Sequence, residues 1–341
     1  MLSGFRVVGV DMAAPSVSLP LAQFAEIDLG REASCWQLID LLRETRPSAV
    51  VHLAFVLDPV RTGVIDVERM WQINVAGTAR VMEAVSVVNR TGGAIRKFIF
   101  PSSVSAYGPE TSGPVKEDEP LRAHTLPYAI HKRESDEVVR YRAESLGDCR
   151  VYILRPHIFT GASMQNYMVG ALRGTPWGRS KRASRMRAAG KRLPIMLPPG
   201  KKYLEKLWQF VHVDDVARLI AHLLQRPHSD PPVSIFNVAG RGEPITLQRC
   251  VEIANASVKR VPSRGVYRTI LRLMWKWGIT AIPPEALPYM IGSYTMDTSR
   301  LQSLLGADYE QVMQYSVEEA LRDSFENRGQ GPGVRRKESR K

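Results

Sequence analysis

The sequence predicts an α/β fold, a parallel sheet with helices on both faces and a smaller C-terminal lobe. Three observations carry that reading. Short apolar runs recur at regular distances along the first half of the chain, stretches of helical periodicity fill the gaps, and 341 residues at 44% hydrophobic content suffice to bury a large core.

The first run, Phe-Arg-Val-Val-Gly-Val-Asp at 5–11, ends in an acid before Met-Ala-Ala-Pro and reads as a buried parallel strand. Similar runs follow at 24–29, 49–55, 97–102 and 150–155, and helical periodicity covers 32–46, 66–90 and 128–146. Strands that alternate with helices pair in parallel and are covered on both faces. After Pro156 the alternation weakens into a stretch rich in Gly, Arg, Lys and Pro to about 205. A strand at 208–213, a helix at 214–225 and a strand at 234–238 come next. Residues 246–326 are helical but broken by Pro262, Pro283, Pro284 and Pro288, the mark of a smaller lobe.

Composition narrows the function. No run of 18 apolar residues exists and the start lacks a charged then apolar leader, so no membrane span and no signal peptide is expected, and the expected address is the cytoplasm. Cys35, Cys149 and Cys250 form no metal-ligand spacing and read as reduced, buried thiols; no metal site is expected. The net charge of +13 is concentrated between Arg173 and Lys206 and in the tail Arg335, Arg336, Lys337, Arg340, Lys341, rather than spread over a nucleic-acid-binding face. Both runs read first as solvated loop and tail; the sharper reading sets the internal run over an anionic substrate.

Two local patterns carry chemistry. Tyr128-Ala-Ile-His-Lys132 places a phenol and an ammonium four residues apart, on one face of a helix, where the cation favours the phenolate and lowers its pKa. Such a tyrosine serves as general base toward a hydroxyl or general acid toward a carbonyl. Phe-Ile-Phe-Pro-Ser-Ser103-Val-Ser is a buried strand running into hydroxyl residues, and open α/β sheets bind ligands at that carboxyl edge. Asp214 and Asp215, just after a strand, read as helix N-caps.

In their order these segments resemble the extended short-chain dehydrogenases, of the NAD-dependent epimerase/dehydratase type. Val-Val-Gly-Val-Asp11 looks like the strand whose acid binds the adenosine ribose, and Ile27-Asp28-Leu29 like the segment contacting adenine. Val-His-Leu53-Ala54-Phe55 resembles the turn beside the cofactor, and Asn74-Val-Ala-Gly-Thr the Asn-Val-x-Gly-Thr helix motif. Leu-Arg-Pro156-His157-Ile158-Phe-Thr-Gly is similar to the family's Leu-Arg-Pro-x-x-x-x-Gly signature, and Phe-Val-His-Val-Asp-Asp-Val-Ala at 210–217 and Phe-Asn-Val-Ala-Gly at 236–240 complete the series.

The resemblance implies a Rossmann-like doubly wound sheet with NAD as cofactor. Residues 1–160 would form the dinucleotide-binding domain, with 207–240 returning to it; 161–206 and 241–326 would form the substrate lobe, and 327–341 a disordered basic tail. It implies Tyr128 as acid/base, Lys132 as its partner and the holder of the nicotinamide ribose, and Ser103 as the group orienting the substrate oxygen. Asp11, Asp28, Leu29, Leu53, Ala54, Phe55, Asn74, Pro156, His157 and Ile158 would line the cofactor site with Tyr128 and Lys132. Asp11 favours NAD, since a carboxylate accepts from ribose hydroxyls and repels a 2′-phosphate.

Three departures matter. The family's first strand and glycine-rich phosphate loop have no counterpart before residue 5, so a truncated or misassigned start, an exposed apolar sheet edge and weak cofactor affinity are expected. Ile158 stands where many nucleotide-sugar members carry Asn, and Val104-Ser105 stands where dehydratases carry an acidic pair, which disfavours elimination. The leading expectation is an epimerase acting on a nucleotide-sugar by transient hydride transfer. The alternatives are a reductase or dehydrogenase of a steroid-like or other apolar substrate, for which the Trp275/Trp277 lobe suits an apolar pocket, and a non-catalytic dinucleotide-fold protein. The expected partner is a small molecule and no nucleic acid; a homodimer through the Tyr128 helix fits the resemblance.

Overall fold

The structure, a computed structural model, describes residues 4–15, 19, 21–57, 66–164 and 166–326. The basic tail expected from Arg335 onward lies outside the described residues.

Each early apolar run forms a strand: β1 Val8–Asp11, β2 Gln23–Glu26, β3 Ala49–Val51, β4 Lys97–Pro101 and β5 Arg150–Pro156. The strand Val233–Val238 pairs in parallel with β5, β5 with β4, and β4 with β3. Residues of β4 alternate between two cores, as a strand's side chains must. Phe98 and Phe100 join the helices Ser34–Thr45 and Gly77–Arg90 on one face, while Ile99 meets the helix Val213–Gln225 on the other. Being covered on both faces is what lets β4 and β5 be apolar almost throughout.

β1 and β2 form a separate two-stranded parallel sheet, not hydrogen-bonded to the other four strands. Val8 and Val10 pack half-buried on the same core as Val50 of β3. β3 itself is half-buried along its length, and Leu53, two residues past it, is 63% exposed.

Beyond Pro156 the chain is more ordered than its composition suggests. The helices Tyr167–Arg173 and Lys181–Ala188 form there, the second capped by Ser180, whose hydroxyl accepts from the Ala183 N–H at 3.2 Å. Together with segments from 245 onward they enclose a second core around Leu172, Trp208, Phe210, Tyr267 and Leu271. A seam joins this lobe to the sheet: Thr111 N–H donates to Ser293 O (2.8 Å), Val115 N–H to Thr295 O (2.9 Å) and Asp297 N–H to Val115 O (3.0 Å).

Two expectations are corrected. The Val213–Gln225 helix is capped by His212, whose ring accepts from the Asp214 N–H at 3.1 Å. Asp215 is instead fully buried and accepts from the N–H groups of Gln314 (3.0 Å) and Tyr315 (3.1 Å), because a buried carboxylate needs donors and that loop supplies them. Trp277 does not line an apolar pocket but stands 56% exposed on the surface.

Candidate active site

β4 delivers Ser102 and Ser103 to the carboxyl end of the sheet, where Ser103 caps a short helical turn, Val104–Tyr107. Its Oγ accepts from the Ser105 N–H (3.1 Å) and from the Ser105 hydroxyl (2.9 Å). The helix Pro127–Arg142 begins with proline in its first turn, a place that tolerates the missing N–H, and brings Tyr128 and Lys132 alongside. The hydroxyls of Ser103 and Ser105 stand beside the Tyr128 phenol, close enough to favour its ionised form.

Lys132 is buried at 5% exposure, donates to Pro101 O at 2.7 Å and places its ammonium 3.6 Å from the Phe55 ring centroid. Burial brings its pKa down to about 7, against the pull of Asp136. Tyr128 meets Phe55 edge to face at 5.9 Å between centroids. Burial pushes the phenol up to about 12, with the two serine hydroxyls working against it. The lowering expected from Lys132 is thus not what this geometry gives: the ammonium is spent on the Pro101 carbonyl and Phe55, and desolvation dominates.

The residues expected around the cofactor fall into two groups. Asp11, Leu53, Ala54 and Phe55 are at the carboxyl ends of β1 and β3 with side chains exposed or half-buried, and the Asp11 carboxylate accepts only from the adjacent Met12 N–H (2.6 Å) among the described residues. The others are engaged inside the protein. Asp28 accepts from the Gly30 N–H (2.9 Å) and pairs with Arg31 (3.3 Å) and Arg69, and the Leu29 carbonyl accepts from Arg80 (2.8 Å). Asn74 is fully buried and bonds both backbone groups of Val56, accepting at 2.7 Å and donating at 3.2 Å. It thereby holds the turn that carries Phe55. Pro156 is buried in the sheet, and Ile158 packs half-buried against the lobe core. His157 accepts from the Ile158 N–H at 2.9 Å, which leaves its Nε2–H to donate to Tyr294 O at 2.9 Å; burial takes its pKa down to about 4.

These residues fit part of a dinucleotide. An uncommitted carboxylate at Asp11 suits ribose hydroxyls, and the Ser103, Tyr128 and Lys132 cluster suits a reacting hydroxyl beside a nicotinamide ring. A glycine-rich turn for the pyrophosphate is not among the described residues.

Two neighbours escaped the sequence reading. Ser105 extends the hydroxyl chain, and Tyr289 donates to the Ser105 carbonyl at 3.1 Å. Ser105 follows Ser103 by two residues and was visible in the serine-rich strand end; Tyr289, far along the chain, carried no signal.

The chain matches the NAD dependent epimerase/dehydratase family over residues 1–239. It is 31% identical over 98 residues to a UDP-glucose 4-epimerase of Streptomyces lividans, covering 29% of this chain and 28% of that protein. It is 30% identical over 155 residues to a UDP-glucose 4-epimerase of Erwinia amylovora, covering 46% of this chain and 43% of that protein. The matches therefore span less than half the length of these relatives. Among solved structures it is similar to MoeE5 in complex with UDP-glucuronic acid and NAD (TM-score 0.62, 20% identity, 94% of this chain and 89% of that one). It is also similar to the Thermus thermophilus UDP-glucose 4-epimerase complexed with NAD (TM-score 0.62, 21% identity, 94% and 90%). At such identities the likeness is one of fold.

Proposed function

Since the chain belongs to the NAD-dependent epimerase/dehydratase family, we propose that it is an epimerase of a nucleotide-sugar, with Tyr128 as its acid/base. The observation that carries this reading is the Tyr128 phenol held against the Ser103 and Ser105 hydroxyls, one helical turn from a buried Lys132. Bound NAD would supply reversible hydride acceptance at the sugar carbon. Asp11 would hold the adenosine ribose, and Lys132 the nicotinamide ribose.

The chain's own part is the proton. With its pKa pushed up to about 12, the phenol is protonated at neutral pH and poised as donor to a keto oxygen. In the opposite direction it must take the proton of the sugar hydroxyl. The Ser105-to-Ser103 hydroxyl chain donates toward this centre and stabilises charge forming there. Lys132, whose pKa of about 7 lets it gain a proton in the working range, strengthens that effect when charged. The second core, around Leu172 and Tyr267, is read as the substrate lobe. The cytoplasm and a homodimer through the Tyr128 helix belong to the same reading.

A second reading, a reductase of an apolar alcohol or ketone, draws on Ile158, an aliphatic side chain at the position where many nucleotide-sugar members carry a hydrogen-bonding one. Incubating the chain with NAD and UDP-glucose or UDP-galactose, and following the sugar by NMR, tests the proposal. Interconversion is expected, falling about 10²–10⁴-fold in Tyr128→Phe. No interconversion of any nucleotide-sugar, with net NADH formation from apolar alcohols, favours the second reading; no turnover of either kind defeats both.

A further inference from the structure

The chain's excess positive charge has a single home among the described residues. Segments 173–204 and 253–284 contain ten and six Lys or Arg and no Asp or Glu, whereas the rest of the chain holds 31 basic and 34 acidic residues. The two segments meet in space: Gly178 N–H donates to Ile279 O and Ser180 N–H to Gly278 O, both at 3.0 Å. This sets the start of the Lys181–Ala188 helix against the end of the Arg264–Lys276 helix. Among the described residues, Lys181, Arg182, Arg185, Arg268, Arg272 and Lys276 have no acidic partner.

Beside these cations runs an apolar stripe. Val266, Ile270, Leu273 and Trp277 recur at i, i+4, i+7 and i+11, one face of a helix. Tyr267 and Leu271 face the core, but Val266, Leu273 and Trp277 are 39%, 40% and 56% exposed. A helix with one edge buried, one edge basic and an uncovered aliphatic and tryptophan stripe between them has the composition of an interfacial helix.

We propose that this face is a docking surface for an anionic lipid bilayer, on which the protein lies without spanning it. No helix among the described residues is long and apolar enough to cross a membrane. Charge complementarity selects the occupant. A second copy of the chain would set like charges face to face, which is unfavourable. A nucleic acid would use the arginines but has no use for the exposed Val266 and Leu273, since its affinity comes from phosphate contacts. A leaflet of anionic headgroups takes both, with cations at the phosphates and Leu273 and Trp277 at the acyl boundary. Arg182, Arg185 and Lys191 surround a depression of about 380 Å³ that suits a headgroup phosphate.

The test is flotation of the full chain with vesicles of phosphatidylcholine alone and with roughly a third phosphatidylglycerol, at about 0.1 M and about 0.5 M salt. Binding is expected to the anionic vesicles only, and to weaken at high salt. Arg272→Ala/Lys276→Ala should weaken it by roughly fivefold per charge removed, and Leu273→Ser/Trp277→Ser by about tenfold or more. These side chains are exposed, so unchanged circular dichroism separates lost docking from lost folding. Quenching of tryptophan emission by brominated acyl chains should largely vanish in Trp277→Phe. Three outcomes overturn the proposal: no vesicle binding, binding that both double variants retain in full, which places the contact elsewhere such as the basic tail, and binding to duplex DNA in place of vesicles.

Discussion

Lys132 and Arg155 are two cations buried within a few residues of the same helix, and they are treated in opposite ways. Arg155 is fully buried and fully answered: its guanidinium donates twice to Asp136 (2.9 Å each), and to the Tyr107 hydroxyl (2.7 Å) and the Glu117 carbonyl (2.8 Å). Its pKa is raised despite burial, and its charge is fixed. Lys132 has one backbone carbonyl and an aromatic face, and its pKa falls to about 7. Tyr128, Lys132 and Asp136 follow one another at four-residue spacing on the Pro127–Arg142 helix. One stripe of a single helix thus carries the two residues proposed for chemistry at its first two positions and an architectural carboxylate at its third. A permanently paired buried cation is costly to leave without its partner, whereas an under-paired one stays able to change its charge.

The sharpest way to break this contrast is Asp136→Ala. It leaves a guanidinium buried without a counter-charge and should lower stability by about 3–5 kcal/mol in urea unfolding. A loss under about 1 kcal/mol would mean that Tyr107 and Glu117 alone satisfy Arg155. The opposite sign is expected one turn earlier, where Lys132→Met removes an under-paired buried charge and should stabilise the fold by about 1–4 kcal/mol while lowering turnover. Because the folded pKa of Lys132 lies below its ordinary 10.5, the penalty is full below about 7 and fades as pH rises from there toward 10.5. The stability gap between the variant and the parent should narrow over that window; a gap independent of pH would mean that Lys132 is not desolvated.

The smallest effect concerns buried neutral bases. Burial holds His52 down to about 3 and His157 to about 4, both below the ordinary 6.5. Their contribution to stability is complete above 6.5 and is lost as pH falls through 6.5 toward 4, by up to about 1.4 kcal/mol per pH unit for each. His52→Asn should flatten the acid limb of a melting-temperature profile, and an unaltered limb would remove His52 as a cause.

The legible parts of the molecule are those whose signal is local. β4 and β5 were readable because strands covered on both faces are apolar throughout, and the Tyr128 and Lys132 pair because helical spacing alone brings it together. The pairing of Arg155 with Asp136 was not, although both residues stood in recognised segments, since it depends on how a helix packs across β5. The same limit applies to Asp215, which looked like a cap and is held by Gln314 and Tyr315 a hundred residues away. Residues 66–90 read as one unbroken helix, but a π turn occupies Gln72–Ala76. That turn lies where Asn74 reaches Val56.

The seam between residues 111–115 and 293–297 has a mechanical consequence. It lies beside the Asn237 side chain, whose amide donates to Val115 O (2.9 Å) and Asp297 O (3.1 Å) and accepts from the Tyr107 hydroxyl (2.8 Å). Parting the two halves there would break several buried bonds at once. The two segments are therefore fastened to each other at this edge through a single side-chain amide that bonds both of them.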